Sequence, residues 1–273
     1  MTSEHATADP WPQIGDLLVN HDGGRPDPTA ALAGQEVQLR VDGGETLVLT
    51  FLDAGLLRWS RAGRLVQSQP YAAFEIRPDG FFIDFVDVEN ETRTCCVWLD
   101  LRAVRAVIID GSVEDRTFER TDLLSRARLS GSQSLARAAV RGAALQPEGE
   151  IPSFPPGAAL LGRFLRYVYS ATHVYDHYYV SPRYFHWYCW KGPDAGLGEL
   201  DEVQCVELAE ELFLVCWTEK LLPCLAVTIE DHRAMTSIGK IFGADSDTWK
   251  TGNATVGARM TRLADIPSPG SAD

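Results

Sequence analysis

Apolar and polar residues alternate along two long stretches of this chain. Between Gln35 and Asp110 the text breaks into short runs, Glu36–Val41, Thr46–Leu52, Leu56–Ser60, Tyr71–Ile76, Phe81–Val86, Arg93–Leu99 and Val104–Ile109. Gly43-Gly44, Gly55 and Pro78-Asp79-Gly80 punctuate them. Short alternating runs between Gly and Asp turns predict about seven strands in a meander, closed into a small barrel so that no sheet edge is left exposed. Strand-like text resumes from Gly162 to Leu263, denser in aromatic residues.

The two stretches repeat one another. Phe74-Glu75-Ile76 followed by Phe81-Phe82-Ile83-Asp84-Phe85-Val86-Asp87 recurs without a gap as Val206-Glu207-Leu208 followed by Leu212-Phe213-Leu214-Val215-Cys216-Trp217-Thr218-Glu219. Thr94-Cys95-Cys96-Val97-Trp98-Leu99-Asp100 then matches Cys224-Leu225-Ala226-Val227-Thr228-Ile229-Glu230 with one small change in spacing. A pattern kept in order over this distance predicts two related β units in tandem. The expected organisation is an extended arm over 1–34, a first barrel over 35–113, an Arg-rich helical linker over 114–157, a second barrel over 158–264 and a loose tail over 265–273. The linker expectation rests on Leu123, Leu124, Leu129, Leu135 and Val140 at helix-like spacing, interrupted by Ser130-Gly131-Ser132, with Arg116, Arg120, Arg126, Arg128, Arg137 and Arg141 set among acidic residues.

Composition narrows the partners. With 38 acidic against 25 basic side chains and a formal charge of −13, the chain would repel a phosphate backbone, so nucleic acid is not an expected partner. The first residues lack the basic start and apolar core of a signal peptide, and no 18-residue apolar run follows, so the expectation is a cytoplasmic protein with no membrane association. Six cysteines without a Cys-x-x-Cys pair read as thiols buried in strands.

Candidate chemistry concentrates in the second unit. Between Tyr167 and Trp190 lie Tyr169, Tyr175, Tyr178, Tyr179, Tyr184, Phe185, His186, Trp187 and Tyr188. Such rings either fill a tapering core or line a cavity for an aromatic or conjugated ligand. On strands, Tyr167 and Tyr169 share one face, as do Phe213, Val215, Trp217 and Glu219. Glu219 therefore either opens a polar turn with Lys220 or ends an apolar wall, where burial would raise its pKa and suit it to proton transfer. His173 and His177 at i, i+4 lie ~13 Å apart on a strand and cannot share an ion unaided, so no metal is expected. No nucleotide loop, nucleophile elbow or zinc motif occurs, and no cofactor is expected.

Tyr175-Asp176-His177-Tyr178-Tyr179, Arg183-Tyr184-Phe185-His186-Trp187-Tyr188-Cys189-Trp190-Lys191-Gly192-Pro193 and Gly239-Lys240-Ile241-Phe242-Gly243-Ala244-Asp245 resemble the molybdenum cofactor biosynthesis protein F (MoaF) family. That resemblance implies an all-β protein of two tandem lipocalin-like (calycin) antiparallel barrels joined by a short helical linker. The second unit is also similar to phenolic acid decarboxylases, through Gly162, Leu165, Tyr167, Tyr169, Tyr175, Glu202-Val203, Val206, Leu208 and Trp217-Thr218-Glu219. This similarity implies Glu219 as the acid and Tyr167 and Tyr169 as the pair that holds the substrate. The arginine of that family does not carry over, because Ala195-Gly196-Leu197-Gly198-Glu199 has leucine at its place; Arg183 or Lys191 would have to substitute. Together these readings give catalytic candidates Glu219, Tyr167 and Tyr169, and substrate-binding candidates Tyr175, Arg183, His186, Trp187, Lys191 and Trp217. The expected activity is a cofactor-independent lyase, isomerase or cyclase on a small aromatic or polyketide-like metabolite, and the competing reading is a non-catalytic lipocalin-like carrier. A homodimer is the expected assembly. The first barrel lacks the paired tyrosines and is expected to be a structural or lid-bearing partner, its cavity open or collapsed.

Overall fold

The computed structural model describes residues 12–65, 68–114, 121–145, 148 and 150–267. The expectations for residues 1–11 of the arm, 268–273 of the tail and 115–120, 146–147 and 149 of the linker lie outside them. A one-turn helix α1 (Ile14–Leu17) precedes the first sheet. Its strands are β1 (Glu36–Val41), β2 (Thr46–Phe51), β3 (Leu56–Arg61), β4 (Arg64–Leu65), β5 (Gln69–Pro70), β6 (Ala72–Arg77), β7 (Gly80–Val86), β8 (Arg93–Asp100) and β9 (Arg105–Val113). Helix α2 (Leu123–Ser130) follows, and then β10 (Ala136–Ala144). The second unit comprises β11 (Arg163–Val168), β12 (Val174–Tyr179), β13 (Tyr184–Lys191), β14 (Gly198–Ala209), β15 (Leu212–Thr218), β16 (Cys224–Asp231), β17 (Thr236–Ala244) and β18 (Thr251–Asp265).

The chain is all-β with two lipocalin-like units. In the first, the strand order is β4-β3-β2-β1-β10-β9-β8-β7-β6, and β5 pairs with β3. Because β5 runs through Tyr71 into β6, the chain itself ties one edge of the sheet to the other. The sheet curls around Leu39, Leu49, Phe51, Ile83, Val97 and Ile108. The second unit is a closed eight-stranded barrel in which β18 returns to β11. Strict alternation in β1 and β2 buries every second side chain, as a sheet with one wet face requires.

Strands β7, β15 and β16 depart from that alternation and are buried on both faces along nearly their whole length. Their inner faces fill the curled sheet of the first unit and the closed barrel of the second, and their outer faces meet. Phe82, Trp98 and Ile109 of the first unit pack against Leu214, Leu225 and Ile229 of the second. The repeated runs of the sequence are therefore the strands by which the two units hold each other. A buried polar knot pins this interface: Lys240 Nζ donates to Asp84 Oδ1 and Thr94 Oγ1, while Asn253 Nδ2 donates to Asp84 Oδ2 at 2.9 Å. Burial opposes the Lys240 charge, but the Asp84 carboxylate outweighs it and holds the ammonium above its ordinary pKa. Arg77 adds a bidentate pair across the interface with Asp231, at 2.8 and 2.9 Å.

The expected linker divides differently. Only Leu123–Ser130 is helical among its described residues, capped by Asp122 accepting from Ser125 N at 3.0 Å and closed by Gly131 at φ 74°. Residues 136–144 form β10, which pairs along its full length with β9, Ala136↔Val113 to Ala144↔Arg105, and meets β1 at Arg40↔Ala144. Alanine and arginine favour a helix locally, but the unpaired edges of β1 and β9 offer this segment a complete hydrogen-bond ladder, which outweighs a propensity of a few tenths of a kcal/mol per residue. All six cysteines are free thiols, four buried and two half-buried. No described helix is long and apolar enough to cross a membrane.

Removing one partner of the buried pair should be costly. Asp84→Ala leaves Lys240 charged and unpaired and is expected to lower stability by about 3–5 kcal/mol in urea unfolding, whereas Asp84→Leu combined with Lys240→Met should recover most of that loss. Equal losses in the single and double variants would remove the ion pair as the cause.

Candidate functional site

The inner face of the second barrel is built by period-two alternation. Along β15, Phe213, Val215 and Trp217 point inward, and Glu219 continues that face one residue past the strand. Tyr175 and His177 on β12, Trp187 on β13 and Tyr169 just after β11 converge on the same end. With Asp194 and Ile241 they enclose a cavity of about 40 Å³. Tyr169 stands nearly perpendicular to Tyr175, centroids 5.8 Å apart, and His177 meets Trp217 edge-on at 5.7 Å. Five of the candidates read from the sequence, Tyr169, Tyr175, Trp187, Trp217 and Glu219, thus share one cavity.

The N-terminal arm closes this cavity. From residue 12 the arm is anchored: Ile14 and Leu17 of α1 pack on Leu222 and Cys224, and Leu17 and His21 line the cavity from above. The His21 ring lies 5.0 Å from Tyr169 and 4.5 Å from His173. Its carbonyl accepts from Gly257 N–H at 2.7 Å, and Gly24 N–H donates to the Gly257 carbonyl at 3.2 Å, so the arm docks on β18 backbone to backbone. Glycine is required at this crossing, since a Cβ on Gly257 would stand 2.5 Å from Arg25 Cα and one on Gly24 2.6 Å from the Ala258 carbonyl carbon.

Carboxyl groups crowd the same end. Burial raises the Glu219 pKa well above its ordinary value, and Asp201, Asp194 and Glu199 push it further, so this site favours the neutral carboxyl over the carboxylate. Asp201 is pushed up to about 7 by burial and by Glu199, while its hydrogen bond from Trp187 Nε1 at 2.7 Å pulls the other way. Burial also raises Asp194, which accepts from the Tyr175 hydroxyl at 2.7 Å. The two imidazoles move in the opposite sense: desolvation lowers His177 and His21 to about 4, leaving both neutral. His177 Nδ1 is buried with no hydrogen-bond partner among the described residues. The cavity therefore presents a carboxyl with a raised pKa and a neutral imidazole against aromatic walls, and no Lys or Arg of the described residues lines it. Such a site can give and take one proton without burying a net charge.

The remaining candidates lie elsewhere. Tyr167 is fully buried beneath the cavity, where its hydroxyl donates to Glu230 Oε1 at 2.8 Å alongside Tyr179 at 3.0 Å. His232 Nε2 lies 3.0 Å from Glu230 Oε2, and Arg163 joins His232 to Glu211. Burial drives Glu230 upward, but these hydrogen bonds outweigh it and hold its carboxyl below the ordinary range. Arg183 projects outward and pairs with Glu202 at 3.0 Å, and His186 and Lys191 are exposed on the barrel wall. Alternation with the inward Phe185, Trp187 and Cys189 places His186 outside. Leu197, at the position of the missing arginine, packs on the barrel core. His177, Asp194 and His21 are cavity residues that sequence reasoning passed over, and so is Asp201, which supports the cavity from behind Trp187. The same alternation along β12 that selects Tyr175 also selects His177, whereas nothing local links His21 to this barrel.

The acidic cluster has a pH signature. Because the folded pKa of Asp201 lies above its unfolded value, its contribution to stability is fully present below about pH 4 and is lost as pH rises through about 7. Asp201→Asn, which keeps an acceptor for Trp187, is expected to raise stability by roughly 2 kcal/mol at about pH 8 and to change it little at about pH 4. Urea unfolding at both values checks this; an equal effect at both would remove the titration of Asp201 as the origin.

Comparison with known proteins bears on the whole chain. The MoaF N-terminal domain family matches residues 9–115 and the MoaF C-terminal domain family residues 154–266. The protein MoaF of Klebsiella aerogenes is 32% identical over 256 residues, covering 93% of this chain and 91% of its own length. A solved chain from Burkholderia vietnamiensis, described as a proposed β-lactamase, is 18% identical, spans 41% of this chain and 100% of its own, and superposes with a TM-score of 0.33, a likeness too slight to support an argument. Two domain matches in the order of the two β units, with a relative aligned over nearly the full length, place this chain in the MoaF family.

Proposed function

We propose that the second barrel is a cofactor-independent acid–base enzyme, a lyase, isomerase or cyclase, acting on a small uncharged aromatic or conjugated metabolite. The observation that carries this reading is the Glu219 carboxyl, placed at the end of an aromatic wall where burial and acidic neighbours raise its pKa. Buried carboxyl groups that stay neutral at working pH serve as general acids. In this role Glu219 protonates the conjugated carbon or carbonyl oxygen. Tyr169, whose hydroxyl makes no hydrogen bond to a described residue, orients a carbonyl or phenol, while Tyr175, Trp187 and Trp217 sandwich the ring system. His177, neutral and with Nδ1 open, accepts the proton lost elsewhere on the substrate.

The electrostatics select the substrate class. A carboxylate entering this cavity would meet Glu219 and Asp194, and no Lys or Arg of the described residues lines it, so its burial would cost several kcal/mol. That argues against a hydroxycinnamate decarboxylase and for dehydration, isomerisation or cyclisation of a neutral compound. A space of about 40 Å³ holds a few waters at most, so a ring enters only when the arm swings off β18. The closed lid equally suits a carrier that sequesters its ligand, and Glu219 separates the two readings.

Glu219→Gln is expected to slow turnover ~10²-fold or more while leaving affinity for the same compound nearly intact. Mass spectrometry and chromatography of neutral conjugated phenols and polyketide-like ketones recovered from the protein provide the readout. Binding with no change in any recovered compound, in parent and variant alike, would establish the carrier. Gly257→Ala, whose added methyl would stand 2.5 Å from Arg25 Cα, should undock the arm, speed hydrogen exchange at residues 20–25 and raise ligand association roughly tenfold. Unchanged exchange and association would mean that entry does not depend on the arm.

A further inference from the structure

The first unit has a cavity of its own, about 600 Å³, at one end of the curled sheet. Period-two alternation shows how the sequence makes it. On the inner face Trp59 gives way to Arg61, Phe85 to Asp87, Cys95 to Arg93, and Ile108 to Asp110. At this end the interior changes from apolar to charged within two residues on each strand. The floor is Leu47, Trp59 and Phe85, and the rim is set with guanidinium groups. In the second barrel the corresponding end is lined by carboxyl groups without arginine among the described residues, whereas here Arg61, Arg64, Arg93 and Arg137 stand beside Glu45, Asp87 and Asp110.

The rim is organised rather than merely charged. Arg61 grips Asp110 through two hydrogen bonds at 2.7 and 3.0 Å, and Arg141 bridges Asp110 and Glu45 at 2.6 Å each. These four side chains neutralise one another and fix the wall. One donor is only loosely held: Arg61 Nε, 3.5 Å from Glu45 Oε1, makes no hydrogen bond to a described residue. Arg93 stands at the rim, and its guanidinium bonds to no described residue. A volume in the range of small-molecule sites, an aromatic floor and guanidinium N–H donors at the rim call for a ligand with an apolar body and an acceptor-rich head.

We propose that this cavity is a second ligand site, independent of the second barrel, which takes a small amphiphile with one anionic head: the aromatic or aliphatic body lies on Trp59 and Phe85, and the carboxylate or comparable oxyanion is held by Arg93 and Arg61. It makes the first barrel a binding module in its own right. Ala139, exposed at the mouth on the same inner face as Arg141, offers a position at which the cavity can be plugged without touching the floor.

The test uses the full chain, 1-pyrenebutyrate and its uncharged methyl ester. Fluorescence titration should show saturable binding of the acid, at least tenfold weaker binding of the ester, a loss of roughly tenfold in acid affinity for Arg93→Ala with no change for the ester, and abolished binding for Ala139→Trp. Circular dichroism and urea unfolding confirm that both variants remain folded. Equal affinity of acid and ester, indifference to both substitutions, or the absence of saturable binding would each overturn the proposal. Glu219→Gln and Gly257→Ala should leave pyrenebutyrate binding unaltered, and sensitivity to either would assign the probe to the second barrel instead.

Discussion

Burial of β7, β15 and β16 on both faces is the constraint from which the rest of the molecule follows. A strand in a small barrel normally has one face for its core and one for water. Here the outer faces are apolar as well, and the two units cover them by packing on each other. The apolar contact provides area but little register, because hydrophobic packing is non-directional. Direction comes from Lys240, which reaches from the second unit into a site formed by Asp84 and Thr94 of the first. A charge that can be satisfied at only one place makes alternative docking positions expensive. The consequence for the candidate site is mechanical: β15, which leads directly into Glu219, is held from outside by the first unit.

The two units use one architecture for different electrostatic ends. In the second barrel Asp194, Glu199, Asp201 and Glu219 are gathered where solvent is scarce, and the shared consequence is a raised pKa at each. In the first, arginines and carboxylates are matched on the wall, and Arg61 Nε makes no hydrogen bond to a described residue. Neither arrangement favours packing alone, since apolar residues would fill both ends at lower desolvation cost. The deep network around Glu230 is different in kind. Each of its members is hydrogen-bonded to another, so Tyr167, Tyr179 and His232 hold the barrel floor rather than facing a ligand.

The arm couples the halves a third way. It crosses β18 at glycines on both sides, with Arg25 Nη1 donating to Thr255 Oγ1 at 2.7 Å. A segment rich in proline, glycine and aspartate would seldom order alone, because it buries too little apolar surface. Leu17 and His21 find that surface in the mouth of a barrel encoded more than a hundred residues later.

By itself the sequence determined the β class, the tandem repeat and the face of β15 that carries Trp217 and Glu219, because strand alternation and turn residues are local signals read over a few positions. It also named Tyr169, Tyr175 and Trp187 among its site candidates. Tertiary structure alone decided the rest. Residues 136–144 became a strand because two open edges awaited it, although their own propensity favours a helix. Tyr167 and Tyr169 share a face yet serve different ends, since depth in a barrel depends on which neighbours converge there. Arg183, His186 and Lys191 lie outside the cavity, and only the assembled mouth shows that no described Lys or Arg lines it in place of the arginine absent at Leu197. Whether Glu219 faced water or an apolar wall was likewise open, because burial is a property of the surrounding chain and not of the residue.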